Sequence, residues 1–291
     1  MITEETRFLI VGLGLMGGSY ARALTKKGYR VDAIDTDPDA ISYALGQGII
    51  AGGSTAVDPA LIAQADVTVF ALYPHTMIDW LRSNQQLFRP GALLTDVTGV
   101  KCHVVDTVQG FLRPDLEFIG SHPMAGREVY GVRNSDDSIF AIANFIVTPT
   151  EKNTPAAIAA ARQLGGILGF HTISELSPAE HDEMIAFVSQ LAHAIAVSLM
   201  TCNDDQNLQN YTGDSFRDLT RIARINEVMW SELFLLNRGP LIAQIDSFTS
   251  ELLHMKTLLQ NGDRKALEEM FRHSTRRRAL FDRPAPPKTM P

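Results

Sequence analysis

The sequence predicts an α/β protein: an N-terminal doubly wound parallel sheet followed by an all-α domain. Three observations carry that prediction. Short apolar runs alternate with amphipathic helical stretches as far as residue 173, the pattern of parallel strands joined by crossover helices. The first strand–helix junction holds Gly12, Gly14 and Gly17 in the spacing G-x-G-x-x-G. From Ser177 onward the strand pattern stops and an apolar helical periodicity replaces it. The expected division is 1–174 for the sheet domain, 175–280 for a helical domain and 281–291 (FDRPAPPKTMP) for a disordered tail.

Taken in order, residues 8–11 read as a buried strand and 19–24 as the helix after it. Gly12 permits the tight turn, Gly14 lets backbone approach a pyrophosphate, and Gly17 lets helix and strand pack closely. Gly12, Leu13, Gly14, Leu15, Met16 and Gly17 are therefore the expected phosphate cradle of a Rossmann-type domain. A second strand, 29–34, ends in Asp35, where a carboxylate accepts hydrogen bonds from the adenosine ribose and repels a 2′-phosphate. Thr36 and Asp37 follow, with no arginine, so NAD is expected rather than NADP. Strand 66–72 ends at Leu72 and Tyr73, on the rim of that cofactor site. Helix 77–87, strand 92–95, helix 103–112, strand 116–120, strand 145–148, an Ala-rich helix 155–168 and a short strand 170–173 complete the sheet. Polar clusters at 12–17, 98–101 and 121–126 all fall at carboxyl ends of strands, where ligands bind in such sheets.

Ser177 and Glu180 flank Pro178 and Ala179 as a capping box with proline at the first helical position. The helix from there to about residue 202 is apolar nearly all round, so neighbours must enclose it. Helices are expected over 215–225 and from 227, with a kink or break between Asn237 and Pro240. Leu241, Ile245, Phe248, Leu252, Met255 and Leu259 then recur as a seam. These faces either pack within the chain or, the expected use, are buried together by two protomers.

Composition narrows the function. A net charge of −7 argues against a general nucleic-acid binder and means an anionic substrate needs local cations. The run Arg276, Arg277, Arg278 reads as a solvated helix end. Two cysteines in unrelated contexts predict no disulfide framework, and no leader or membrane span is evident, so the cytoplasm is expected. Neither metal-ligand spacing nor an internal repeat is evident.

His122 directly follows a strand at the cofactor cleft and has an ordinary pKa of about 6.5, suited to taking a proton at neutral pH. His193 lies in the apolar helix with Gln190 three residues before it; by spacing alone it reads as a core histidine. Arg217, Arg221 and Arg224, spaced i, i+4, i+7, line one helix face. They are either solvated beside Asp214 and Asp218 or a clamp for a dicarboxylate.

Several stretches resemble the prephenate/arogenate dehydrogenase family of tyrosine biosynthesis: GLGLMGGS, DVTGVK, GSHPMAGRE, HDEMIAFVSQLAH and FRDLTRIARINEVMW. The resemblance implies NAD-dependent oxidative decarboxylation of a cyclohexadienyl substrate and a homodimer paired through the helical domain. His122 matches the family's catalytic histidine, which takes the proton of the ring C4 hydroxyl while C4 yields its hydride and C1 loses carbon dioxide. His193 matches a second active-site histidine. Arg221 matches the arginine that grips a substrate carboxylate, with Arg217 beside it, and Glu128 and Trp230 match groups at the site mouth. The chain departs from the family at two points. Gly99 stands where a serine hydroxyl usually bonds the catalytic histidine and approaches the nicotinamide, and Gln190 stands where many members have histidine. Thr98 or Ser121 is the expected substitute for the missing hydroxyl.

The expected reaction is the conversion of prephenate to 4-hydroxyphenylpyruvate. Alternatives are the same chemistry on arogenate, a β-hydroxyacid dehydrogenase or imine reductase of similar architecture, and a non-catalytic NAD sensor.

Overall fold

The computed structural model describes residues 1–281, so 282–291 of the expected tail lie outside the described residues. Eight strands form one sheet in the order β3-β2-β1-β4-β5-β6-β7-β8. Its first half alternates strictly: β1 (Arg7–Val11), α1 (Leu15–Lys26), β2 (Arg30–Ile34), α2 (Pro38–Gly46), β3 (Gly52–Ser54), α3 (Pro59–Gln64), β4 (Val67–Phe70), α4 (Pro74–Asn84), β5 (Leu93–Asp96), α5 (Cys102–Phe111) and β6 (Glu117–Pro123). These six strands pair in parallel, and the order reverses at β1, which puts the crevice for a ligand at the carboxyl ends of β1 and β4. Phe8, Leu9, Ile10 and Val11 are all buried, because helices cover both faces of β1.

The sheet departs from the parallel expectation at its far side. β7 (Asn144–Thr148) pairs antiparallel with β6. The connection 124–143 contains only short 3-10 turns, and a return without a crossover helix leaves neighbouring strands antiparallel. α6 (Pro155–Leu168) then leads to β8 (Thr172–Glu175), parallel to β7. This reversal extends β6. Its pairing with β5 stops at Ile119, but β7 carries the ladder on through Gly120, Ser121, His122 and Pro123. His122 is therefore a strand residue opposite Ile146, not part of a loop after the strand.

After the sheet, Ser177 caps α7 (Pro178–Ile185) with Glu180 reciprocating, the capping box expected from sequence. Residues Ala186–Leu191 then wind as π-helix before α8 (Ala192–Thr201). Such a bulge re-aims the side chains that follow and is frequent at functional sites. The helix expected over 215–225 is shorter: α9 (Asp214–Thr220) tightens into 3-10 geometry at Arg221–Ala223. Arg217, Arg221 and Arg224 consequently do not share one continuous helix face. α10 (Glu227–Leu236) ends at Asn237 and α11 (Arg238–Gln260) begins at once, so the chain breaks there rather than kinking. α12 (Arg264–Ala279) starts at the Asp263 cap. The chain divides into two compact units inside α11, one running to Leu241 and the other beginning at Ile242.

Candidate active site

The loop between β5 and α5 is wound around one buried carboxylate, that of Asp96. Its Oδ1 accepts from the Ser121 backbone at 3.1 Å, and its Oδ2 accepts from the Thr98 backbone at 3.0 Å and from Lys101 Nζ at 2.5 Å. The Thr98 hydroxyl donates to the same carboxylate. Asp96 and Lys101 are both completely buried, and the Thr98 hydroxyl and the Thr98 and Ser121 amides add hydrogen bonds that help offset the cost of burying this ion pair. Burial lowers the Lys101 pKa, with Asp96 opposing it.

Beside this cluster His122 meets the helical segment. Its Nδ1 lies 2.9 Å from Nε2 of His181, and Nδ1 of His181 lies 2.8 Å from Oδ1 of Asp182. Asp182 in turn accepts from the backbones of Lys101 and Cys102, each at 2.8 Å, across the start of α5. Burial would raise the Asp182 pKa, but the hydrogen bonds from His181 and from those amides hold it below the usual carboxylate range. Burial, then the neighbouring His181 and Lys101, push His122 well below 6.5, and burial also lowers His181. Both imidazoles are thus neutral at pH 7. Burial beside Asp182 pushes the Cys102 thiol up to about 12, which makes it a poor nucleophile.

Gly99 sits on the same loop, and a Cβ built there would stand 3.9 Å from Cε1 of His122 with no atom nearer than 3.5 Å. The space for a side chain at 99 is present and faces the imidazole. Further out, Arg221 bonds Glu128 in a partly exposed ion pair, and the rings of His193 and Trp230 stack with centroids 3.7 Å apart. Nδ1 of His193 bonds the Ser189 carbonyl one turn back, at 2.9 Å. The rim is tied to the sheet by Asn226 to the Tyr73 hydroxyl at 3.0 Å and by Glu232 to His75 at 2.6 Å.

The opposite lip is built for a dinucleotide. Gly12 adopts φ +98°, and any Cβ there would lie 2.5 Å from the Ala71 carbonyl oxygen. A Cβ at Gly17 would collide with the Gly12 oxygen at 1.9 Å, whereas the space around Gly14 is open. No side chain caps α1, so its first N–H groups are free to meet phosphate. Asp35 closes the cradle: one oxygen accepts from Leu13 N at 2.5 Å and the other from Asp37 N at 2.8 Å. Each oxygen keeps a lone pair for ribose hydroxyls. These residues fit NAD.

Comparison with known proteins identifies the arrangement. The family model described as the prephenate dehydrogenase nucleotide-binding domain matches residues 20–172, more than half of the chain. The chain belongs to the prephenate dehydrogenase family. A second model, its dimerization domain, matches residues 177–273. Among similar proteins, the prephenate dehydrogenase of Bacillus subtilis is 29% identical, over 91% of this chain and 72% of that protein. The cyclohexadienyl dehydrogenase of Zymomonas mobilis is 28% identical, over 95% of this chain and 96% of that protein. The crystal structure of Aquifex aeolicus prephenate dehydrogenase with hydroxyphenyl propionate and NAD+ superposes with a TM-score of 0.89 at 29% identity. That match covers 97% of this chain and all of that one. An NAD-binding domain, a dimerisation domain and the oxidoreductase class follow from the family.

Within this family framework, the structure gathers some expected residues and disperses others. His122, Gly99 and Thr98 share one corner, but Thr98 is turned inward, its hydroxyl donating to Asp96 and lying 3.0 Å from the Val100 carbonyl oxygen. Ser121 is likewise buried, within 3.0 Å of the Thr95 hydroxyl and donating to the Asp96 carbonyl at 2.7 Å. Neither replaces the hydroxyl missing at Gly99; the bond to His122 comes from His181 instead. Gln190 is buried at the π-bulge, donating to the Leu233 carbonyl at 3.1 Å and accepting from Asn237 at 2.8 Å, so it braces helices instead of facing a ligand. Arg217 is exposed and pairs with Asp214, at 3.5 Å. Leu72 packs against Gly12, and Leu15, Met16 and Thr36 border the cradle. Four buried groups escaped sequence reasoning: Asp96, Lys101, His181 and Asp182. Their signal was present, as charged or titratable residues in otherwise apolar stretches flanking the catalytic motifs.

Proposed function

We propose that His122 is the general base of an NAD-dependent oxidative decarboxylation of prephenate to 4-hydroxyphenylpyruvate, and that Arg221 holds a substrate carboxylate. The observation that carries this reading is a half-buried imidazole whose Nε2 has no protein partner among the described residues, set at the carboxyl edge beside a dinucleotide cradle. Bound NAD supplies the hydride acceptor. His122 Nε2 takes the C4 hydroxyl proton as the C4 hydride departs; loss of carbon dioxide from C1 then leaves an aromatic ring whose oxygen recovers the proton. The base therefore holds the substrate's proton only transiently, with no net uptake, which suits an imidazole held neutral. Arg221 exchanges its Glu128 partner for the substrate carboxylate in a geometry that guanidinium favours. The stacked pair His193 and Trp230 forms a wall at the site mouth.

The helical domain proposed for 175–280 joins two copies. In the single chain Phe187 and Val188 stand exposed near the middle of an apolar helix, Pro178–Thr201, long enough by length and composition to cross a membrane. In the second unit Leu252 and Leu259 are exposed as well. A second protomer is the partner we assign to these faces, and the cytoplasm, consistent with free Cys102 and Cys202, is the assigned compartment.

Steady-state assays with NAD and either prephenate or arogenate test the reading. Turnover of prephenate is expected; turnover of arogenate alone assigns the same chemistry to the amino substrate, and turnover of neither overturns the proposal.

A further inference from the structure

We infer that His181, oriented by Asp182, is the positioning residue that fixes His122 in its proton-accepting tautomer. The inference rests on His122 being the base. It follows by elimination along a line of hydrogen bonds. The Asp182 carboxylate receives the Lys101 and Cys102 amides and, being ionised, has no proton to give. Nδ1 of His181, 2.8 Å from it, must therefore be the donor. A neutral imidazole with one nitrogen protonated accepts at the other, so Nε2 of His181 is an acceptor. Its partner at 2.9 Å is Nδ1 of His122, which must carry the hydrogen. Nε2 of His122 is thereby left with a lone pair, the form that receives a hydroxyl proton.

The bond to His181 is the one side-chain hydrogen bond His122 makes among the described residues. Nothing at position 99 shares the task, because glycine offers no hydroxyl where a Cβ would lie 3.9 Å from the ring. His181 is completely buried, so water does not compete for its nitrogens. Asp182 is tied to the amides that open α5, which makes the line rigid with respect to the β5–α5 loop. When His122 becomes an imidazolium, its Nδ1–H already points along a line ending on a carboxylate. That arrangement stabilises the charge for as long as the proton is on loan.

The decisive experiment compares His181→Leu with His181→Gln in the full-length protein, using prephenate and NAD. The leucine variant removes the acceptor, and kcat is expected to fall about a hundredfold. KM for prephenate and the NAD dissociation constant, measured by fluorescence titration, should stay within about twofold, since residue 181 is completely buried. The glutamine variant offers a carbonyl acceptor and should recover at least about tenfold of the loss. Equal rates for the two variants, or a leucine variant as fast as the parent, overturn the inference. Should the variants fail to fold, ¹⁵N-histidine NMR of the unaltered protein decides the tautomer: His122 protonated at Nδ1 supports the inference, and protonated at Nε2 overturns it. An unaltered protein that does not turn over prephenate would instead strike the function proposed above.

Discussion

Two sets of polar groups border the same cleft, and they are built on opposite plans. The inner set, Asp96, Lys101, His122, His181 and Asp182, lies at the carboxyl edge of the sheet, with all but His122 fully or almost fully buried. Each of its charges has several partners supplied by backbone amides or by the next side chain. The outer set is represented by Arg221 and Glu128, whose side chains are 62% and 38% exposed and have each other as partner. Low dielectric makes the inner bonds strong and any loss among them costly. Solvent makes the outer pair weak and exchangeable. The contrast separates two tasks: groups that must be right before substrate arrives are locked, and groups that must release one partner for another are left wet.

Breaking the inner set should have the largest effect. Lys101→Met leaves the Asp96 carboxylate buried and unpaired, a defect worth about 3–5 kcal/mol of stability. Denaturant unfolding monitored by circular dichroism measures it; a loss under about 1 kcal/mol would mean the pair is not isolated from water as described.

His122→Asn comes next, with kcat lower by roughly a hundredfold or more and NAD affinity retained. A rate within a few-fold of the parent would remove His122 from the chemistry and revive the NAD-sensor alternative. In the parent, depressed pKa values keep His122 and His181 unprotonated down to lower pH than an ordinary histidine. The acid limb of kcat/KM should therefore fall below pH 6.5. The same shifts affect stability. Below about pH 6.5 the unfolded chain binds protons that the folded one refuses, so stability falls as pH drops through that region. A stability maximum near pH 5 would contradict this.

On the outer side, Arg221→Ala removes a charge-assisted bond worth about 1.5–3 kcal/mol and should raise KM for prephenate by roughly ten- to a hundredfold. An unchanged KM would show that the carboxylate is held elsewhere.

The two plans also differ in how far they could be read from sequence. G-x-G-x-x-G and Asp35 announced the cradle because each glycine answers a local steric demand, visible in the collisions at Gly12 and Gly17. His122 was legible as a candidate, but its place inside a strand was not. β7 prolongs β6, and pairing with a strand more than twenty residues away leaves no local trace. The line from His122 through His181 to Asp182 was hidden for the same reason: His122 and His181 lie 59 residues apart in sequence and meet only in three dimensions. The arginine row failed differently. Spacing assumed an uninterrupted α-helix, and the helix instead gives way to a 3-10 turn at Arg221–Ala223.

The smallest effect should come from Glu128→Gln, and it probes the comparison most finely. If Glu128 does nothing but occupy Arg221 until substrate arrives, neutralising it frees the guanidinium. An exposed pair is worth about 0–1 kcal/mol, so KM for prephenate should fall by no more than about fivefold with kcat unchanged. Raising the salt concentration should narrow the difference between the variant and its parent, because screening weakens the same competition. A higher KM in the variant would mean that Glu128 touches the substrate itself. The outer set would then be held to its geometry as firmly as the inner one, and exposure alone would not mark which groups exchange partners.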